Sequence, residues 1–230
     1  MHPLVEDLRA GLAGAADPEK ARPMQAYMKT DQPFYGVQSG LRRTLFKEAV
    51  RRHEVSSRTE YEEIVLTLWE GVYREEMYQA LEVAEHFKRF RDADAWPLFE
   101  HLVHTADWWD TLDWIAGKLV SPLVLKHRKF EARLVEWARS DHLWTRRASL
   151  LAHLHHKNRL NMDLLASTIL QLAGEREFFI RKAIGWILRD YSYANPDWVE
   201  AFVSEHASEL SALSRREALK QIERMRAERS

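Results

Sequence analysis

The 230-residue chain contains no cysteine. That excludes a disulfide framework, a thiolate zinc site, an iron–sulfur cluster and a cysteine nucleophile, and is compatible with a reducing compartment. Glycine and proline are scarce, at eight and seven. Neither a phosphate-cradling glycine loop nor a G-x-S-x-G elbow occurs, so nucleotide hydrolysis and serine-hydrolase chemistry have no support. No stretch approaches the roughly 20 apolar residues of a membrane-spanning helix. The first residues interrupt their apolar positions with Glu6, Asp7 and Arg9, which leaves no signal-peptide core. The expected compartment is the cytoplasm. An excess of charge is also missing: 34 basic residues stand against 35 acidic ones, a formal charge of -1. A histone-like global attraction to DNA is thereby excluded, though a local basic patch is not.

What is present is a 46% apolar, 30% charged composition typical of a globular domain. Apolar residues recur every three to four positions, so the chain reads as all-α. Helix starts are marked by Ser57 or Thr59, Asp107 before Trp108, Asn161 or Asp163, Asn195-Pro196, and Ser214. The second helix of each successive pair opens near Arg74, Trp108, Trp144, Phe178 and Ser214, 34 to 36 residues apart. This period predicts a HEAT-like solenoid of helical hairpins, because one hairpin cannot bury its apolar face alone. Residues 1–56 are expected to form an N-terminal helical cap and 57–230 the repeats, packed with the cap as a single domain offering a concave face. Charge along this array is polarised. Nine acidic residues face only Arg58 and Arg74 between Glu54 and Glu85, whereas ten Lys and Arg face three acids between Ile115 and Arg159. Arg42, Arg43, Lys47, Arg51 and Arg52 form a second basic stripe. These stripes fit either solvated helix faces or a phosphate-facing surface.

A few residues break the core pattern. On a helix from Phe178 to Tyr191, Ile180, Ile184, Ile187, Leu188 and Tyr191 share one side and Trp186 lies opposite, with Lys182 and Arg189. Trp186 is either a stacking platform or a residue covered by the next repeat. Trp108 falls in line with Leu112, Ile115 and Leu119 and is expected in the core. Trp109 and Asp113, one helical turn apart, project side by side, unless Asp113 is simply an exposed helix carboxylate. Arg147 lies on an apolar stripe with Leu151 and Leu154, where a guanidinium snorkels to water or meets an anion, either a phosphate or a carboxylate. His101 with His104, and His153 with His156, have chelating i, i+3 spacing, but no third ligand is evident and no metal site is expected.

Several strings together resemble the AlkD family of HEAT-like-repeat DNA glycosylases, which excise alkylated purines. They are Ala26-Tyr27-Met28-Lys29, Arg42-Arg43 with Phe46-Lys47, Trp69 with Arg74-Glu75, Trp108-Trp109-Asp110-Thr111-Leu112-Asp113, Phe178 to Trp186, Leu188-Arg189 with Tyr191-Ser192, and Leu213-Ser214 with Arg216-Glu217-Ala218. The resemblance runs from about Pro23 to about Arg224; one departure is Ser39-Gly40, where the family commonly has a proline before the arginine pair. It implies that Trp109 and Asp113 are the catalytic tryptophan and aspartate, Trp186 a second aromatic wall, and Tyr27 the residue completing the aromatic cluster. Arg147, Lys182, Arg189, Lys29 and Arg43 would face DNA. The activity implied is monofunctional removal of cationic N3- or N7-alkylated purines from duplex DNA in base excision repair, without a base-flipping pocket, by a monomer using no metal or nucleotide cofactor, at the nucleoid in a bacterium. The alternative is a HEAT-repeat protein that binds damaged or branched DNA without chemistry.

Overall fold

A computed structural model describes residues 1–228, and every regular element among them is helical. In chain order these are α1 (Pro3–Gly14), α2 (Pro18–Met28), α3 (Ser39–Arg52), α4 (Arg58–Trp69), α5 (Arg74–His86), α6 (Trp96–Thr105), α7 (Trp109–Trp114), α8 (Ser121–Lys126), α9 (Glu131–Trp137), α10 (Leu143–Leu151), α11 (Met162–Leu172), α12 (Phe178–Ser192), α13 (Pro196–Glu205) and α14 (Ala212–Ala227). Short 3-10 turns join several of them, and a π-helical turn, Ile115–Val120, fuses α7 to α8. The second helices of the pairs open at Arg74, Trp109, Leu143, Phe178 and Ala212, 34 or 35 residues apart. The protein is an all-helical repeat protein.

Capping chemistry explains most of these starts. Ser57, Asn161 and Asn195 each accept a hydrogen bond from the backbone N–H three residues on, and Pro196 occupies the first turn of α13. Two expected starts move. Ser211, not Ser214, caps α14; its hydroxyl accepts from the Ser214 N–H at 3.0 Å. The residue before α7 is Trp108 itself, in extended conformation, rather than Asp107.

Contacts divide the chain into two units, Met1–Leu98 and Phe99 onward. The boundary drawn from sequence after residue 56 falls within the first unit.

In the first unit, α1 packs on α3 and α4, and α4 and α5 form a hairpin. Leu4, Leu8, Leu12, Ile64, Leu68 and Leu81 are all buried there, each contributing about 1.5–3 kcal/mol by leaving water. The buried Glu75 carboxylate anchors the loop before α3, accepting from the backbone N–H groups of Tyr35, Gly36 and Val37 at 3.0, 2.9 and 3.0 Å. Gly36 is required at this turn: its φ is +86°, and a Cβ would sit 2.0 Å from the Asp17 carbonyl oxygen. The basic stripe on α3 is not uniform. Arg42 is buried with its guanidinium 4.5 Å from the Tyr78 ring centre, and Arg52 pairs with Asp7 at 2.9 Å.

In the second unit, α10 packs against α7, α9, α11 and α12, and α12 packs most extensively on α14. Ile180, Ile184, Ile187, Leu188 and Tyr191 of α12 are buried, as the 3.6-residue period requires. Trp108 corrects its expected place. It is only half-buried, its ring 5.5 Å from Trp144 and 5.6 Å from Phe179. The physical reason is that it precedes the helix rather than belonging to it, and the π turn further breaks the wheel that aligned it with Leu119.

Candidate active site

Trp109 and Asp113 open α7 one turn apart, with Trp109 half-buried and the Asp113 side chain 15% exposed. The fully exposed alternative for Asp113 is thereby excluded. Arg147 comes from the middle of α10, on the stripe that carries Leu151, and its side chain is 4% exposed. The choice of partner left open by the sequence is resolved as a carboxylate. Arg147 donates from Nε to Asp113 Oδ1 at 2.7 Å and from Nη2 to Oδ2 at 2.8 Å, a two-pronged pairing. Its Nη1 donates to the Phe179 carbonyl oxygen. Three of the five guanidinium N–H donors are thus engaged within the protein.

The third wall is α12. Phe178, Lys182, Trp186 and Arg189 follow one another at spacings of four, four and three, so they lie along one face. Together with Trp109, Asp113, Arg147 and Phe179 they line an open recess of about 300 Å³. Trp186 is half-buried and lines this recess. The sequence marks Phe178 as a helix opening but gives neither Phe178 nor Phe179 a place at the site. Their roles differ: Phe178 is 52% exposed at the recess, while the Phe179 ring meets Trp144 at a tilt, 5.0 Å between centres, and its carbonyl supports Arg147. The i, i+4, i+8 placement of Phe178 with Lys182 and Trp186 is the signal that could have singled it out.

The electrostatics are set by burial and pairing. Burial, with a smaller push from the charge of Asp110, raises the Asp113 carboxyl above the ordinary aspartate value, and the hydrogen bonds and charge of Arg147 pull the other way. The site holds a desolvated carboxylate paired with Arg147, in a recess that Trp109, Phe178 and Trp186 also line. Lys182 and Arg189 are not free cations: each pairs with Glu217 at 2.9 Å. Glu217 belongs to α14, and no periodicity in the sequence had marked it.

Tyr27, Lys29 and Arg43 belong to the first unit. Tyr27, on the last turn of α2, is 74% exposed. Lys29 caps that helix in the left-handed region with φ of 49°. Arg43 is exposed, with Nε 3.8 Å from Glu82. Among the described residues, no group of three His, Asp or Glu is placed to hold a metal ion, and no helix is long and apolar enough to cross a membrane. His153 and His156 are buried against each other, ring centres 5.7 Å apart. Burial, followed by the charge of His156 and Arg128, drives His153 down to about 3.

Fold and site together define a helical repeat protein whose second unit presents a carboxylate–guanidinium pair among tryptophans. Residues 8–222 match the family described as DNA alkylation repair enzyme, and the chain belongs to that family. A structure described as a predicted DNA alkylation repair enzyme from Enterococcus faecalis is similar at 30% identity and a TM-score of 0.81, over 89% of this chain and 95% of that one. AlkD2 from Streptococcus mutans shares the fold at 17% identity and a TM-score of 0.60, over 86% and 97%. No curated protein matches the sequence significantly.

Proposed function

We propose that this member of the DNA alkylation repair family is a monofunctional glycosylase that removes N3- and N7-alkylated purines, such as 3-methyladenine and 7-methylguanine, from duplex DNA. The observation that carries this reading is the Asp113–Arg147 fork facing a recess walled by Trp109 and Trp186. A purine alkylated at N3 or N7 is already cationic, so it leaves as a neutral base when the N-glycosidic bond breaks, and no general acid is needed. One carboxylate is then sufficient. Positive charge moves to the deoxyribose as an oxocarbenium-like ion. Asp113 stabilises that charge and orients the water that attacks the anomeric carbon; the water's proton passes to solvent and an abasic site remains.

The surrounding groups divide the remaining work. Arg147 opposes the rise that burial imposes on the Asp113 carboxyl and aims it, and its two remaining N–H donors suit the DNA backbone. Trp109 and Trp186 hold the cationic nucleotide by cation–π contact, worth about 0.5–2 kcal/mol per ring. Tyr27 adds aromatic support. Lys182, Arg189, Lys29 and Arg43 contact phosphates and fix register without reading sequence. The reading extends to a monomer that needs neither metal nor nucleotide cofactor and works on nucleoid DNA in the cytoplasm.

The test is a duplex carrying a single 7-methylguanine. Free base should be released while the strand stays intact until the abasic site is cleaved chemically. Salt-sensitive binding of the same duplex with no base released would replace this reading with that of a non-catalytic DNA-binding protein.

A further inference from the structure

Beside the recess, α14 contributes a group that never reaches it. Glu217 is 2% exposed, yet its carboxylate gathers three cations. Lys182 Nζ lies 2.9 Å from Oε1, Arg189 Nη1 donates to Oε2 at 2.9 Å, and Lys220 Nζ donates to Oε1. Lys182 and Arg189 are seven residues apart, two turns of α12, so one carboxylate spans both positions from below. What lets it come so close is Gly185, midway between them. A Cβ there would sit 2.4 Å from the Glu217 Cβ and 2.8 Å from the Ser214 carbonyl oxygen. The crossing is fixed further by the Ser214 hydroxyl, which donates to the Arg181 carbonyl oxygen at 2.9 Å.

The charge count matters as much as the geometry. One carboxylate against three cations leaves the cluster cationic, and the carboxylate is ionised at any working pH. Burial opposes ionisation, but the hydrogen bonds and charges of Lys220 and Lys182 prevail and bring Glu217 down to about 2. Lys182 and Arg189 both line the recess, and their side chains stay 37% and 30% exposed while tethered. A tether that orients two long cationic side chains, without cancelling their charge, removes rotamer freedom that would otherwise be lost on meeting phosphate.

We infer that Glu217 is a positioning residue for the reaction: it holds Lys182 and Arg189 in register for the phosphates flanking the lesion, with Lys220 as a third cation of the same cluster. This rests on the glycosylase reading above. A merely electrostatic Glu217 would weaken DNA binding by its negative charge, and its removal would only tighten binding. A merely structural one would cost stability alone. Positioning predicts a split between binding and turnover.

The experiment measures single-turnover base release and equilibrium binding on the same 7-methylguanine duplex, with melting temperatures of each protein. Glu217→Gln should bind as tightly as the wild type or more tightly, while release at saturating protein slows by between about tenfold and a hundredfold, the scale of a small misplacement of bound groups. Glu217→Asp keeps the charge but withdraws it by one methylene. It should slow release likewise with affinity unchanged, and it decides the question if Glu217→Gln does not fold. Release at the wild-type rate by either folded variant at saturating protein overturns the inference alone. If the wild type itself binds the duplex but releases no base, the glycosylase reading fails, and the inference fails with it.

Discussion

Glu75 in the first unit and Asp113 in the second are both carboxylates sunk into helix packing, and they are satisfied in opposite ways. Glu75 is wholly buried and spends its oxygens on three backbone N–H groups of the loop ahead of α3. Asp113 keeps part of its surface open and has one partner, the Arg147 fork, on one side. Burial of a carboxylate therefore does not by itself mark a site. The mark is a buried anion that the chain leaves incompletely surrounded, next to rings that could hold a cation. Glu217 stands between the two, enclosed like Glu75 but turned toward side chains that line the recess.

The sharpest way to break this contrast is Glu75→Ala. Three backbone donors, two of them buried, lose their acceptor at once, so unfolding by urea should show a loss of about 3 kcal/mol or more. A loss below about 1 kcal/mol would mean that the loop is held otherwise and that Glu75 is not its anchor. Next in size is Arg147→Met, which keeps apolar volume and removes the fork. Asp113 is then left with burial and the charge of Asp110, both of which raise it, so its carboxyl rises further. Because the proposed reaction uses the carboxylate, the acid limb of the rate against pH should move to higher pH, and release at neutral pH should fall by about tenfold or more. An unmoved limb would remove Arg147 from the role given to it. Smallest is Trp186→Ala, which should weaken binding of a 7-methylguanine duplex by about 0.5–2 kcal/mol relative to an unmodified one. Equal losses on both duplexes would show that the ring does not sense the cation.

The local features of this molecule were legible in sequence because helix periodicity and capping are local. Arg74 and Phe178 do open their helices, Ser57, Asn161 and Asn195 do cap theirs, and the apolar side of α12 is the buried one. Trp108 was misjudged because a wheel assumes an unbroken helix, whereas the chain here has a non-helical tryptophan followed by a π turn. The pairings across neighbouring helices were less visible. That Arg147 needed an anion followed from its place on an apolar stripe; that the anion is Asp113, 34 residues earlier, depended on the packing of α10 against α7. The Glu217 tether of Lys182 and Arg189 is hidden for the same reason, since nothing in α12 reveals what α14 places beneath it. Gly185 was the available hint. A glycine inside a strongly helical segment signals a close approach, and here the approaching group is Glu217.

The proposed glycosylase requires the Asp113 carboxylate to perform chemistry rather than only to hold Arg147 in place. Wild type and Asp113→Asn should therefore be compared for release of free 7-methylguanine from duplex DNA, at protein concentrations that saturate binding. Asparagine keeps the size of the side chain and one oxygen for Arg147 while removing the charge. The expected result is a fall of about a hundredfold or more in release, with affinity for the duplex nearly unchanged. Release by the variant at the wild-type rate would contradict the claim and leave Asp113 with a structural role only.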